Sequence, residues 1–290
     1  MYLWQEYRQP STISEAIEDL INSPSPAVPI AGGTDLLLDM RQGRREPAAT
    51  LIDLTGVPVL NLIEIRGDFL YIGACLSINQ IISNPIVQKN AQALVEACDL
   101  IAGPQVRNTA TLGGNVAHAL PAADGTIALI ALDARAEIAN KDGLRKMSLR
   151  ELFLGPGKSA LDKTSELIAG FYLPINTENQ ASAFKRIMRP QGVALPILNC
   201  AVWVERKGDV IKDVRISVGP GGPVPFRATK AEEILINQSN NEETLNLAVK
   251  GILAQGSFRT SLRRATSEYR KHILASLFKE TFIEAWHRAN

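Results

Sequence analysis

At 290 residues the chain is long enough for about two domains and for a core that needs no covalent staples. Its 31 Lys and Arg against 30 Asp and Glu leave a formal net charge of +1, which gives no general pull toward nucleic acid or an acidic membrane surface. Hydrophobic residues at 46% argue against global disorder, and three cysteines are too few for a disulfide framework and fit a reducing cytoplasm.

The first residues show no basic segment leading into an apolar stretch, so no secretory signal is expected. Thr12 and Glu15 suggest a capping box, and Ile13, Ala16, Ile17, Leu20 and Ile21 recur at helical spacing until Pro24. A short strand over 28–31, a turn at Gly32 and Gly33, a short helix over 36–40 and a strand over 51–54 complete a compact α/β unit ending near Gly56. The stretches 62–65 and 69–72 read as a hairpin. Helices are predicted at 78–82 and 85–100, and a loop over 103–115. After Asp124 an apolar helix runs to about Leu132, and strands follow at 134–139, 144–149 and 166–173. The most apolar stretch, 126–139, contains Asp133 and Arg135 and is too short to cross a bilayer.

The polar stretch 176–180 marks the expected domain boundary. Beyond it, strands at 183–188, 197–205 and 210–218 precede helices at 231–236, 242–254 and 267–286. Strands followed by helices suggest an antiparallel sheet with helices on one face.

No acid–base or nucleophile constellation stands out, so no catalytic residue is assigned. The histidines are isolated from one another and from the cysteines, and no metal site is legible. Cys75, Cys98 and Cys200 read as buried apolar residues. Gly157-Lys158-Ser159 lacks the earlier glycine of a P-loop, because Leu152 occupies that position. The stretch around it reads as a surface loop.

Two glycine segments carry the functional signal. The first is Pro29-Ile30-Ala31-Gly32-Gly33-Thr34-Asp35, where a strand runs into two glycines and then a helix. Glycines let a backbone approach a phosphate, and amides at a helix start favour an anion. An ordinary capped turn is the alternative. The second runs from Thr109 to Asp124 and holds Thr111, Gly113, Gly114, Asn115 and His118 among small residues. Asp124 could accept from ribose or ring donors, or simply cap the following helix. His118 could donate to a phosphate or ring, or face solvent. Two such segments suggest an extended dinucleotide held outside a Rossmann crevice.

These two segments resemble the FAD loops of the medium, flavin-carrying subunit of molybdenum hydroxylases, the family of xanthine and carbon monoxide dehydrogenases. Phe153-Leu-Gly-Pro156, the strand Glu166–Pro174, Ala183-Phe-Lys-Arg186, Gly222–Ala228 and Ser267-Glu-Tyr-Arg270 resemble further family segments in the same order. The resemblance implies an α+β fold: an FAD-binding domain of the vanillyl-alcohol-oxidase (PCMH) type over 1–175, in subdomains of about 1–56 and 57–175. A C-terminal α/β domain of the carbon monoxide dehydrogenase flavoprotein type, antiparallel sheet plus helices, follows over 181–290.

The resemblance further implies an FAD site. Pro29 to Asp35 would wrap the diphosphate, and Ile101 and Ala102 would pack on the cofactor. Thr111, Gly114, Asn115, Ala117, His118, Ala123 and Asp124 would line its other side. Ile168 and Lys185 would touch the flavin or its polar edge. His118, Leu120 and the stretch Arg189-Pro-Gln-Gly192 depart from the family's usual residues. The implied function is electron transfer in a cytoplasmic heterotrimer, with a small iron–sulfur subunit and a large molybdopterin subunit. Electrons would pass through FAD to NAD⁺ or another acceptor. A self-contained flavin reductase or oxidase, and a non-enzymatic nucleotide-binding protein, are the rival readings. The basic run Arg259, Arg263, Arg264, Arg270 and Lys271 reads as a solvated helix face, with subunit docking as the alternative.

Overall fold

The computed structural model describes residues 2–189, 195–262 and 264–290. Pro190, Gln191 and Gly192 of the divergent stretch, and Arg263, lie outside the described residues. The N-terminal unit is a parallel three-stranded sheet of β1 (Trp4–Arg8), β2 (Ala27–Ile30) and β3 (Ala48–Asp53), with β3 in the centre. α1 (Ile13–Asn22) joins β1 to β2, and α2 (Leu36–Arg41) joins β2 to β3. β1 was not expected from sequence, because Trp-Gln-Glu-Tyr-Arg carries no buried apolar alternation and pairs only at the sheet edge. The capping box forms by half. Thr12 accepts from the Glu15 amide at 3.1 Å, but the Glu15 carboxylate turns to Ser11 instead.

The next unit begins with the hairpin β4 (Ile63–Arg66) and β5 (Phe69–Gly73). Three helices follow where two were expected: α3 (Ile78–Ser83), α4 (Pro85–Asn90) and α5 (Gln92–Asp99). Asn84 caps α4 through two amides, and the chain leaves helical geometry at Ala91, with φ −143°. The predicted loop contains α6 (Pro104–Arg107) and α7 (Leu112–Ala117), so the second glycine segment is a capped helix rather than an open loop. The apolar α8 (Asp124–Ala131) is buried along its whole length. After it come β6 (Arg135–Asn140), β7 (Gly143–Ser148), the small hairpin β8 (Phe153–Gly155) and β9 (Lys158–Ser159), and β10 (Leu167–Pro174). Their five-stranded antiparallel sheet has the order β4-β5-β10-β6-β7.

The C-terminal sheet is antiparallel, in the order β11 (Gln180–Ile187), β12 (Leu198–Lys207), β13 (Val210–Gly219) and β14 (Phe226–Arg227). α9 (Thr229–Leu235), α10 (Glu242–Gln255) and α11 (Ser267–Arg288) follow, and α9 and α11 pack directly on its strands. They enclose one core, with Val202, Ile216, Leu274 and Phe278 fully buried. The other face of the sheet is covered by α5 and α8. Phe184, Ala201 and Trp203 accordingly belong to the core built around those two helices. Strand alternation explains this division, because successive residues of a strand face opposite sides.

Candidate functional site

The first glycine segment leaves β2 and crosses directly beneath the second. A Cβ on Gly32 would stand 2.2 Å from the Thr109 carbonyl oxygen, so only glycine permits this approach. Gly33 follows with φ +65°, the left-handed region that glycine adopts freely. The amides of Gly32, Gly33, Thr34 and Asp35 donate to no backbone or side-chain acceptor among the described residues. Successive amides left free at such a turn can serve as donors to an anion. α2 has only six residues, so the donors themselves matter more than a helix dipole.

The second segment has spent the amides of its glycine turn. Gly113 donates to the Ala74 carbonyl at 2.9 Å, Gly114 to the Thr111 hydroxyl at 3.1 Å, and Asn115 to the Thr111 carbonyl at 3.0 Å. Its contribution is therefore side chains. Asn115 Oδ1 is buried without a hydrogen-bond partner. His118 Nδ1 lies 3.9 Å from Asp35 Oδ2, bringing the two segments together across the opening. Ala102 and Ala119 hold left-handed backbones, φ +46° and +55°, a strained geometry for alanine. Arg107 braces the first of them by donating from Nη1 to the carbonyls of Asp99, Ile101 and Ala102 at 2.8, 3.1 and 3.3 Å.

Asp124 opens α8 but makes no cap bond of its own. Instead Arg186 Nη1 donates to Oδ2 at 2.6 Å and Asn199 Nδ2 donates to Oδ1 at 2.7 Å. Both side chains of the Asp124–Arg186 pair are 5% exposed. Burial pushes the Asp124 carboxyl above the usual carboxylate range, against the pull of Arg186 and Asn199. Arg186 Nε and Asn199 Oδ1 remain without partners.

Gly32 to Asp35, Ala102, Gly114, Asn115, His118, Asp124 and Arg186 line one cleft of about 1000 Å³, at the upper end of what small-molecule sites occupy. All the residues that the resemblance assigns to the FAD site lie on its wall except two. Ile168 is buried within the five-stranded sheet, paired with Ile138. Lys185 falls on the strand face it shares with Ala183, and its neighbour Arg186 enters the cleft instead. The alternation of Ser182, Phe184 and Arg186 could have revealed this, since Phe184 marks the face turned to α5 and α8. Sequence reasoning also missed Arg107, and Pro156 and Gly157, which form a cleft wall where a surface loop was expected. The Gly157 amide donates to the Ala119 carbonyl at 2.9 Å and fixes that wall to the second segment. Arg259, Arg264 and Arg270 line the cleft too, where a solvated helix face was expected. Among the described residues no group of three or more His, Cys, Asp or Glu gathers to hold a metal. The three cysteines are buried, and burial pushes the Cys75 and Cys200 thiols up to about 12.

A glycine cradle with free donors, in a long cleft whose wall also carries the buried Asp124–Arg186 pair, fits a long ligand with a diphosphate and a polar ring. The model of the FAD binding domain in molybdopterin dehydrogenase matches residues 4–176, and that of the CO dehydrogenase flavoprotein C-terminal domain matches residues 182–285. The chain belongs to the FAD-binding flavoprotein family of the molybdopterin dehydrogenases. It is 30% identical over 287 residues to the xanthine dehydrogenase FAD-binding subunit of Escherichia coli O157:H7, covering 98% of this chain and 97% of that one. It is 29% identical to the carbon monoxide dehydrogenase medium chain of Hydrogenophaga pseudoflava, with the same coverage. In solved structures, a chain of carbon monoxide dehydrogenase from Hydrogenophaga pseudoflava lacking the Mo-pyranopterin moiety superposes with a TM-score of 0.92 at 30% identity, covering 98% of this chain and 97% of that chain. This flavoprotein is thus a subunit-type oxidoreductase chain whose cofactor is FAD. No helix among its described residues is long and apolar enough to cross a membrane.

Proposed function

We propose that this flavoprotein holds FAD in the cleft and serves as the electron-transfer subunit of a cytoplasmic molybdenum hydroxylase. Its partners are then a small iron–sulfur subunit and a large molybdopterin subunit, with 1–175 as the FAD-binding part and 181–290 as the C-terminal domain. Bound FAD supplies a carrier between the iron–sulfur clusters and NAD⁺ or another acceptor. The four free amides from Gly32 to Asp35 are the observation that carries this reading. They provide donors for a diphosphate, with Thr34 adding a hydroxyl and Pro29, Ile30 and Ala31 forming the wall behind.

Ile101 and Ala102 offer an apolar surface for a ring, and Arg107 keeps that surface in place. Across from them, Gly114, Ala117 and Ala123 leave room, and Asn115 belongs to the same wall with its Oδ1 turned inward against Gly125. Asp124 is already paired with Arg186, so its task is to orient a cation rather than to move a proton.

Gly114 has only the Thr111 hydroxyl near its missing Cβ, at 3.1 Å, and otherwise opens on the cleft. Gly114→Trp should therefore fill the site. The purified variant is expected to retain less than about a tenth of the flavin absorbance of the parent after gel filtration. Undiminished flavin in this variant would refute the assignment.

A further inference from the structure

The basic run before and on α11 is turned inward. Arg259 and Arg264 sit in the folded connection ahead of the helix and Arg270 in its first turns, and all three line the cleft. The connection is itself tied down: the Ser261 amide donates to the Ala265 carbonyl at 2.9 Å and Ser267 Oγ to the Phe258 carbonyl at 2.8 Å. Arg270 is 1% exposed, donates to the Ile197 carbonyl, and keeps a buried Nε with no partner. Among the described residues none of the three arginines meets a carboxylate within ion-pair distance. Burial lowers the proton affinity of Arg270, and the like charges of Arg264 and Arg259 lower it further. Gathering like charges at a partly buried wall is unfavourable unless an anion joins them. Guanidinium forks suit phosphate oxygens in particular.

We propose that Arg259, Arg264 and Arg270 form an anion subsite on the C-terminal wall of the cleft, which takes the phosphate of a second, phosphate-bearing ligand bound beside the flavin. The free amides of Gly32 to Asp35 already provide for a diphosphate on the N-terminal wall, so the arginines are surplus to that need. The naming of the ligand as second rests on the flavin reading above, while the subsite itself does not.

The test is a calorimetric titration of the full chain with inorganic pyrophosphate, with and without bound FAD. The parent is compared with the double variant Arg259→Gln/Arg264→Gln, whose thermal melt should be no lower than the parent's, because both side chains reach solvent and the change relieves like-charge repulsion. The FAD-loaded parent is expected to bind pyrophosphate, the variant at least about tenfold more weakly, with FAD affinity unchanged. Equal pyrophosphate binding by parent and variant would overturn the subsite. Loss of FAD affinity in the variant, with no pyrophosphate binding to the loaded parent, would overturn the second ligand and give the arginines to the flavin's own diphosphate. A chain that retains no FAD would strike the flavin reading alone, since titration of the FAD-free chain still decides the arginines.

Discussion

A methyl group on Gly32 would meet a backbone oxygen, and backbone cannot swing aside as a flexible side chain does. The same residue stands where the two glycine segments touch, so its substitution acts on the cleft and on stability together. Gly32→Ala is expected to cost about 1–3 kcal/mol in urea unfolding, by the overpacking it forces, and to lower flavin retention. Gly114→Ala is the contrasting change. Its new methyl would meet only the Thr111 hydroxyl, and the cost should stay below about 1 kcal/mol. The two glycines look alike in sequence, and only the position of Thr109 separates their roles. A Gly32→Ala protein as stable as the parent would show that the segments can part without loss.

Elements with a strong apolar pattern were legible from sequence: β5, β10, β12, α8 and the amphipathic α1 all fall where their periodicity places them. β1 was not legible, because an edge strand with polar residues has no pattern to read. α7 was hidden by its two glycines, which lower helix propensity while the Thr111 cap and the packing on Ala74 hold the turn. The residues of the cleft were found because the glycine segments are short and local. Arg186 and Arg107 were not, since their roles depend on strand facing and on carbonyls brought together by folding. Arg107 shows what such an element does. It supports the strained turn at Ala102 with three bonds that no helix or strand supplies. Arg107→Ala should loosen this turn, at a cost of about 1–3 kcal/mol, and speed exchange of the Ile101 amide more than that of α8. Arg107→Lys should recover little, because a single ammonium cannot serve these carbonyls and also reach Asn79 and Asp99 as Nε and Nη2 do. Unchanged exchange at Ile101 would remove Arg107 from the support of the cleft.

At the scale of the whole molecule, the C-terminal sheet and the flavin domain share a face, and charged groups cross it. Glu96 accepts from the Phe184 amide at 2.8 Å and pairs with Arg288 at 2.6 Å, while Asp124 pairs with Arg186 at the cleft. A buried pair adds little net stability, yet removing one member leaves a charge with no counterpart. Arg186→Met should therefore destabilise the chain by about 3–5 kcal/mol near neutral pH, and Asp124→Asn/Arg186→Met should recover much of that loss. The sign of the pH dependence follows from Asp124. Its folded-state affinity for a proton is already raised by burial, and loss of Arg186 raises it further. A carboxyl with a raised folded value favours the folded chain at low pH, and that contribution disappears as pH rises through the raised value. The deficit of Arg186→Met should thus shrink on going from about pH 8 to about pH 5, as Asp124 takes up a proton. The double variant has no carboxyl at that position, so its own stability should carry no pH dependence from this site over the same range. A deficit of Arg186→Met that is equally flat would mean that Asp124 finds water or another donor, and that the two domains are not joined through this pair.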